Sequence, residues 1–365
     1  MNDEQKQALE LRESGMSRAE IAAEMGLTER QVKTRLEGAR RWIESDPSAQ
    51  FAAKESGANV TPHSYWVKSN GVSAYFQTPK EDEAVALIDR VSEAFRDIPA
   101  YVPQPAQFTH SDLCTVYPLM DLHMGMYAWG DETGADDYDL QQATNDIKRT
   151  FATLDRITPV GGQAVLILGG DTLHANDMRA ETPKSKHKLD VDGRHFKVLD
   201  EAIKAIAWII EHLAARHDKV TIRVLAGNHD PESHLVLTFA LAERYRDISR
   251  IVIEKSPLDM FMFRWGNSLI AAHHGDKSPP QRLAMMLADA CTFWSDVRHR
   301  HILTGHIHHE SAKDFPGIKW ESLRAFCPPD AYGAGFAPRR AMTAMVFDSV
   351  KGRVLVASDP IWREG

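Results

Sequence analysis

An α/β fold preceded by a small all-α unit is the architecture this sequence of 365 residues predicts. Three observations carry that expectation. From about residue 110 onward, short apolar strand candidates alternate with amphipathic helix candidates. Polar residues, mostly Asp, Asn and His beside glycine, stand immediately after the strand candidates, where open α/β sheets place their ligands. Residues 1 to 45 contain no proline and few β-branched residues, and are rich in Ala, Glu, Arg and Leu, a composition that favours short helices. With 43% hydrophobic, 26% charged and 8% aromatic residues, the chain suits packed cores and excludes disorder along its whole length.

In the N-terminal unit a break falls at Gly15. Ser17 then stands as an N-cap with Glu20 three residues on, a capping box that opens a helix over Arg18 to Met25, and Gly26 ends it. Thr28 caps a third helix through Gln31, Val32, Leu36 and Ala39 toward Trp42. The unit holds eight bases against nine acids, yet the third helix gathers Arg30, Lys33, Arg35, Arg40 and Arg41 against only Glu29 and Glu37. Basic charge on one helix is what contact with phosphate requires. The segment SRAEIAAEMGLTERQVKTRLEGARRW resembles the helix-turn-helix of sigma-factor and response-regulator DNA-binding domains, through Glu20-Ile21-Ala22, the Gly26-Leu27 turn, and Val32-Lys33 with Leu36. The resemblance implies DNA contact by Arg30, Gln31, Lys33, Thr34 and Arg35. The other reading is a helical module that packs on the rest of the protein or on a partner.

Residues 46 to 63, with Pro47, Ser48, Ser56, Gly57, Thr61 and Pro62, read as a linker. SYWVKSNGVSAYFQ predicts two short strands about Asn70-Gly71, and Glu81 to Arg96 has helical periodicity. The proline-rich IPAYVPQPAQF marks a boundary. The expected organisation is therefore a helix-turn-helix domain over 1–45, a linker with a small α+β segment over 46–109, and an α/β domain over 110–365. Strand candidates in the last are Thr115 to Met120, Ala164 to Leu168, Val220 to Ala226, Leu269 to Ala272 and His301 to Leu303, with short strands at Ala341 to Phe347 and Arg353 to Ala357. Helix candidates are Leu140 to Leu154, Lys197 to Arg216 and Leu235 to Tyr245.

The net charge of −8 rules out a wholesale basic coat. MNDEQKQALE lacks the basic and then apolar start of a signal peptide, and no apolar run approaches the roughly 18 residues of a membrane span. No membrane partner and a cytoplasmic location are the expectation. Cys114, Cys291 and Cys327 are far apart and form no C-x-x-C pair, so neither a disulfide framework nor a cysteine zinc knuckle is suggested. Histidine is the unusual residue: of 17, seven fall between His273 and His309, a clustering that asks for a metal.

The residues after the strand candidates are Asp121-Leu122-His123, Gly169-Gly170-Asp171, Gly227-Asn228-His229-Asp230, His274-Gly275-Asp276 and Gly305-His306-Ile307-His308. Carboxylate, imidazole and amide oxygen suit Mn²⁺, Fe, Ni or Zn²⁺. A D-x-H or H-x-H pair in an extended segment points both side chains to one side. This ordered set of D-x-H, G-D, G-N-H-[DE], H and G-H-x-H resembles the calcineurin-like metallophosphoesterase superfamily over roughly residues 112–350.

That resemblance implies a four-layer α-β-β-α sandwich holding two divalent cations, Mn²⁺ first among Mn²⁺, Fe, Ni and Zn²⁺. It implies Asp121, His123, Asp171 and His308 around one cation and Asp171, Asn228, His274 and His306 around the other. Asp171 bridges, and a hydroxide between the cations is the nucleophile. His229 matches the family's non-ligand histidine at the phosphate or the leaving oxygen, and Asp230 beside it is expected to orient that ring. His273 and His274 both stand at the fourth motif; the H-G-D form and strand alternation favour His274. His174 follows in Gly-Asp-Thr-Leu-His, a form that resembles the double-strand-break repair nucleases of this superfamily, and it is expected to meet substrate. His299, His301 and His309 read as strand-end histidines.

Between the second and third motifs lies a loop with Asn176, Arg179, Lys184, Lys186, His187, Lys188, Arg194 and His195. It suits a polyanion, with Arg179, Lys184 and Lys186 as contacts, although Glu181, Asp190 and Asp192 also fit a solvated surface loop. The leading expectation is a phosphodiesterase or nuclease acting on DNA, the helix-turn-helix raising local DNA concentration by tethering. The layout resembles phage-encoded and prokaryotic DNA repair exonucleases. The alternative is a phosphomonoesterase or small-nucleotide phosphodiesterase whose N-terminal helices bind a partner. A catalytically inactive DNA-binding regulator is a third reading, and the complete ligand set counts against it. Helix-turn-helix proteins often dimerise, which leaves a homo-oligomer open.

Overall fold

The structure, a computed structural model, describes residues 3–45, 64–69, 72–77, 101–102, 110–331, 333–334 and 339–361. The chain divides into two compact units, Met1–Glu93 and Ala94–Gly365. In the first, α1 (Asp3–Glu13), α2 (Arg18–Met25) and α3 (Glu29–Ser45) pack around Ala8, Ile21, Ala22 and Val32. The Ser17–Glu20 capping box is complete, and Gly26 takes the left-handed conformation, φ 65°, that closes α2. A second box opens α3: Gln31 Oε1 accepts from the Thr28 N–H at 2.9 Å while Thr28 Oγ1 accepts from the Gln31 N–H at 3.3 Å. Strands β1 (Ser64–Ser69) and β2 (Val72–Gln77) pair antiparallel. The expected Asn70-Gly71 turn, the helix over Glu81 to Arg96, the 46–63 linker and most of the proline-rich boundary lie outside the described residues.

The second unit is a four-layer α-β-β-α sandwich. Its larger sheet has six strands in the order β13-β12-β3-β4-β5-β6. These are β3 (His110–Leu119), β4 (Gly161–Leu168), β5 (Lys219–Val224), β6 (Ile251–Glu254), β12 (Ala341–Asp348) and β13 (Gly352–Pro360), with β3 to β6 parallel. The smaller sheet has the order β10-β11-β9-β8-β7. It comprises β7 (Phe261–Trp265), β8 (Ser268–Ala272), β9 (His299–Thr304), β10 (Ser311–Phe315) and β11 (Ile318–Ser322).

Period-two alternation explains the layering. Ala164, Leu166 and Leu168 of β4 face the helices, whereas Val165 and Ile167 face the second sheet. On the smaller sheet, Ile270 and Ala272 face inward and Leu269 and Ala271 outward. The outer faces are covered by α4 (Leu140–Ile157), α5 (His195–Arg216) and α6 (Ser233–Arg244) on one side and α7 (Pro280–Ala290) on the other. In α5, Val198, Leu199, Ala202, Ile203, Ile206, Ile209, Ile210 and Leu213 are buried at helical spacing. Each large apolar side chain among them contributes about 1.5–3 kcal/mol. Among the described residues no helix is long and apolar enough to cross a membrane.

One buried cation ties the layers near the site. Arg340 donates to Asp146 Oδ2 at 2.7 Å, Asp136 Oδ2 at 2.9 Å and the Phe326 carbonyl at 2.8 Å. Arg340→Ala removes the closest cation from the buried Asp146 carboxylate and leaves the Arg149 guanidinium 3.7 Å away. The expected loss is about 3–5 kcal/mol, read as a lower urea midpoint; an unchanged midpoint contradicts the anchoring role.

Candidate metal centre

The C-terminal ends of β3, β4, β5, β8 and β9 bring all five polar motifs together at one edge of the sandwich. There the backbone leaves ordinary space. Asp121, His123, Asp171, His306 and His308 all have φ between 46° and 69°. Left-handed conformations of non-glycine residues cost on the order of 1–3 kcal/mol each and persist where the surroundings enforce them. Space is also reserved: a Cβ at Gly227 would collide with the Asp171 carboxylate, and one at Gly305 with that of Asp121.

Of the buried carboxylates here, Asp121 is fully buried and Asp171 is at 2% exposure. Asp171 Oδ2 lies 3.2 Å from His274 Nε2 and 3.7 Å from His123 Nε2, and Asp121 Oδ1 lies 3.7 Å from His308 Nε2. Among the described residues their ion-pair partners are all histidines. The His306 N–H donates to both oxygens of Asp121, at 3.0 and 2.9 Å. His274 Nδ1 pairs with the Gly169 carbonyl at 3.0 Å, which leaves Nε2 for Asp171 and for Asn228 Oδ1, 3.0 Å away. His273 turns away, its Nδ1 accepting from the Gly275 N–H at 2.9 Å.

Electrostatics follow from burial. Desolvation pushes the Asp121 carboxyl up and the His123 imidazole well down. Desolvation acts against His274 as well, but the Asp171 carboxylate outweighs it and holds this imidazole up at about 10. Asp171 is correspondingly held far below the usual carboxylate range despite burial. The His274 proton therefore balances the pair in the metal-free protein. Because its folded pKa lies above the unfolded value, that stabilisation is complete below about 6.5 and is lost as pH rises through about 10. A divalent cation bound through His274 would displace this proton, so such binding at pH 7 is expected to release protons to the buffer. Calorimetry in two buffers of different ionisation enthalpy measures this, and identical binding heats contradict it.

The residues fit divalent cations. The Nε2 atoms of His123 and His174 are buried without any hydrogen-bond partner. Donor atoms of Asp121, His123 and Asp171, and of Asp171, His274 and His306, lie within 4.8 Å of one another. His229 stands beside them, its ring centroid 4.7 Å from that of His123 and its Nδ1 2.8 Å from the His174 carbonyl. A cleft of about 550 Å³ opens over His123, His174, His229, His306 and His308.

Asp230 does not orient the His229 ring. Its buried carboxylate accepts from the backbone N–H groups of Gly227 (2.9 Å), Asp171 (3.2 Å) and Leu173 (3.0 Å), because the strand ends carry donors that no sheet partner satisfies. The His174 carbonyl takes the orienting role instead. His174 itself enters the site, its Nδ1 3.0 Å from His123 Nδ1. Arg179, Lys184 and Lys186 are not among the residues lining the cleft; Arg179 pairs with Asp177 at 2.5 Å and Lys186 with Glu181 at 3.5 Å. Two residues without a sequence signal are part of the site. Cys327 has its thiol within 4.8 Å of ring nitrogens of His123 and His308, and Pro328, the residue after it, lines the cleft. On α3, Arg30, Gln31, Lys33 and Thr34 are exposed, whereas Arg35 Nε pairs with Glu4 at 2.7 Å and the Gln31 amide is engaged by Thr28.

Residues 1–43 match the family described as Sigma-70, region 4. No curated protein matches the chain. Solved structures similar to it include a predicted phosphoesterase from Streptococcus pneumoniae, at 12% identity and a TM-score of 0.30, covering 68% of this chain and 98% of that one. Wild-type Vps29 complexed with zinc, from Entamoeba histolytica, shares 13% identity with a TM-score of 0.29 over 68% and 98%. An archaeal phosphodiesterase shares 10% identity with a TM-score of 0.35 over 68% and 99%.

Proposed function

We propose that this chain is a metal-dependent phosphoesterase acting on phosphodiesters, with DNA as its substrate. The observation that carries the reading is the convergence of Asp121, His123, Asp171, Asn228, His274, His306 and His308, beside which the Nε2 atoms of His123 and His174 are buried without a hydrogen-bond partner. Asp121, His123, Asp171 and His308 would hold one divalent cation; Asp171, Asn228, His274 and His306 would hold the other. When bound, such a pair supplies an activated water and neutralises phosphate oxygens. The chain's own residues do the rest. His229, held through Nδ1 by the His174 carbonyl, presents Nε2 to the phosphate or the leaving oxygen. Asp230 fixes the three loop amides that set the height of Asp171 and Asn228.

The DNA part of the reading rests on the N-terminal unit, which matches the Sigma-70 region 4 family over residues 1–43 and exposes Arg30, Lys33 and Thr34 on α3. Deletion of residues 1–62 is expected to weaken DNA association and flatten its salt dependence while leaving hydrolysis of bis-p-nitrophenyl phosphate intact. Equal DNA affinity with and without them removes the tethering role. One observation favours small-nucleotide phosphodiester hydrolysis as a second reading: Arg179 and Lys186 are engaged by carboxylates of their own loop. Cleavage of bis-p-nitrophenyl phosphate with labelled single- and double-stranded DNA left intact selects that reading.

A further inference from the structure

Cys327 lies far from every metal-type motif in the sequence, yet its segment is fastened to two of them. The Phe326 N–H donates to the Met120 carbonyl at 3.0 Å, the Cys327 N–H to the Asp121 carbonyl at 3.1 Å, and the Ala325 N–H to the His308 carbonyl at 3.4 Å. Three consecutive amides therefore clamp this strand exit to the first and fifth motifs. The clamp sets Cys327 Sγ within 4.8 Å of the ring nitrogens of His123 and His308. Independently, His123 Nε2 is buried there with no hydrogen-bond partner, an arrangement that wants an electrophile.

We propose that Cys327 is a thiolate ligand of the cation held by Asp121, His123 and His308, so that the two cation positions differ in softness. The proposal rests on the metallophosphoesterase reading above. The other position, formed by Asp171, Asn228, His274 and His306, offers only oxygen and nitrogen donors. A sulfur donor strengthens the preference for Zn²⁺ or Fe over Mn²⁺, whereas an oxygen and nitrogen set discriminates less against Mn²⁺. Zinc–ligand distances of about 2.0–2.3 Å require donor atoms about 3.3–3.6 Å apart, a spacing that falls within the 4.8 Å limit these three donors meet. The thiol proton leaves to the buffer as the metal–sulfur bond forms, with no redox change. The remaining thiols serve as internal controls. Cys114 is buried in the core between the sheets, and Cys291 follows α7 on the far face of the smaller sheet.

Cobalt(II) loaded into the full-length protein reads this directly. The wild type is expected to show thiolate-to-cobalt charge-transfer absorption in the near ultraviolet beside the visible ligand-field bands. Cys327→Ser is expected to lose the charge-transfer band alone and to lower the preference for Zn²⁺ over Mn²⁺ by on the order of 10–100-fold; Cys291→Ser keeps both. If Cys327→Ser does not fold, the wild-type and Cys291→Ser spectra decide. Ligand-field bands without charge transfer in the wild type overturn the cysteine ligand and leave the metal centre standing. A protein that takes up no cobalt, zinc or manganese overturns both.

Discussion

Asp171→Ala is expected to abolish turnover of every phosphoester, by at least about 10³-fold, because a metal pair supplies several kcal/mol of barrier lowering. Asp171 is the shared member of both proposed ligand sets. Its Oδ2 faces His274 at 3.2 Å and His123 at 3.7 Å, while Oδ1 accepts from the His229 N–H at 2.7 Å. Alanine removes the negative charge that would balance the two proposed cations and the acceptor that holds the His229 N–H. Asp171→Asn separates the two effects, since the amide oxygen keeps an acceptor for the His229 N–H but carries no charge. Initial rates on bis-p-nitrophenyl phosphate, with bound metal counted by mass spectrometry, measure both variants. Full activity in Asp171→Ala sinks the site.

His229→Ala should behave differently: metal content stays at the wild-type level and kcat falls roughly 10²–10⁴-fold, the range for loss of a general acid. The ring is half-buried beside His123 and stacked on His174 with centroids 5.2 Å apart, so its orientation is preset. An acid matters most when the leaving oxygen is basic. The loss is therefore expected to be larger for an alkyl ester than for a p-nitrophenyl ester. Equal losses for the two would assign His229 to phosphate contact rather than proton transfer.

Much of this was legible in the residues, for identifiable reasons. The capping box at Ser17 and Glu20 and the helix stop at Gly26 are local chemistry, and they stand where the sequence places them. The strand expected at Ala164 to Leu168 is buried on both faces, so its continuous apolar run was a strong signal, and it extends only back to Gly161. By contrast, β6, β7, β10 and β11 have four or five residues each, too short for a period to stand out, and α7 begins at Pro280 and was not anticipated. The left-handed backbone at Asp121, His123, Asp171, His306 and His308 is imposed by tertiary contacts; Asp and His adopt it more readily than most residues, but their type alone does not announce it. Asp230 shows the limit of adjacency: next to His229 in sequence, it turns its carboxylate to the backbone of another loop. Cys327 reaches His123 and His308 only because β12, the segment before it and β3 share one edge of the fold.

The most direct measurement is the anomalous scattering of crystals grown with Mn²⁺ or Zn²⁺. Two peaks are expected, one among Asp121, His123, Asp171 and His308 and one among Asp171, Asn228, His274 and His306. No peak among these residues, or a single ion held by His123, His174 and His229 instead, would contradict a two-cation phosphoesterase centre.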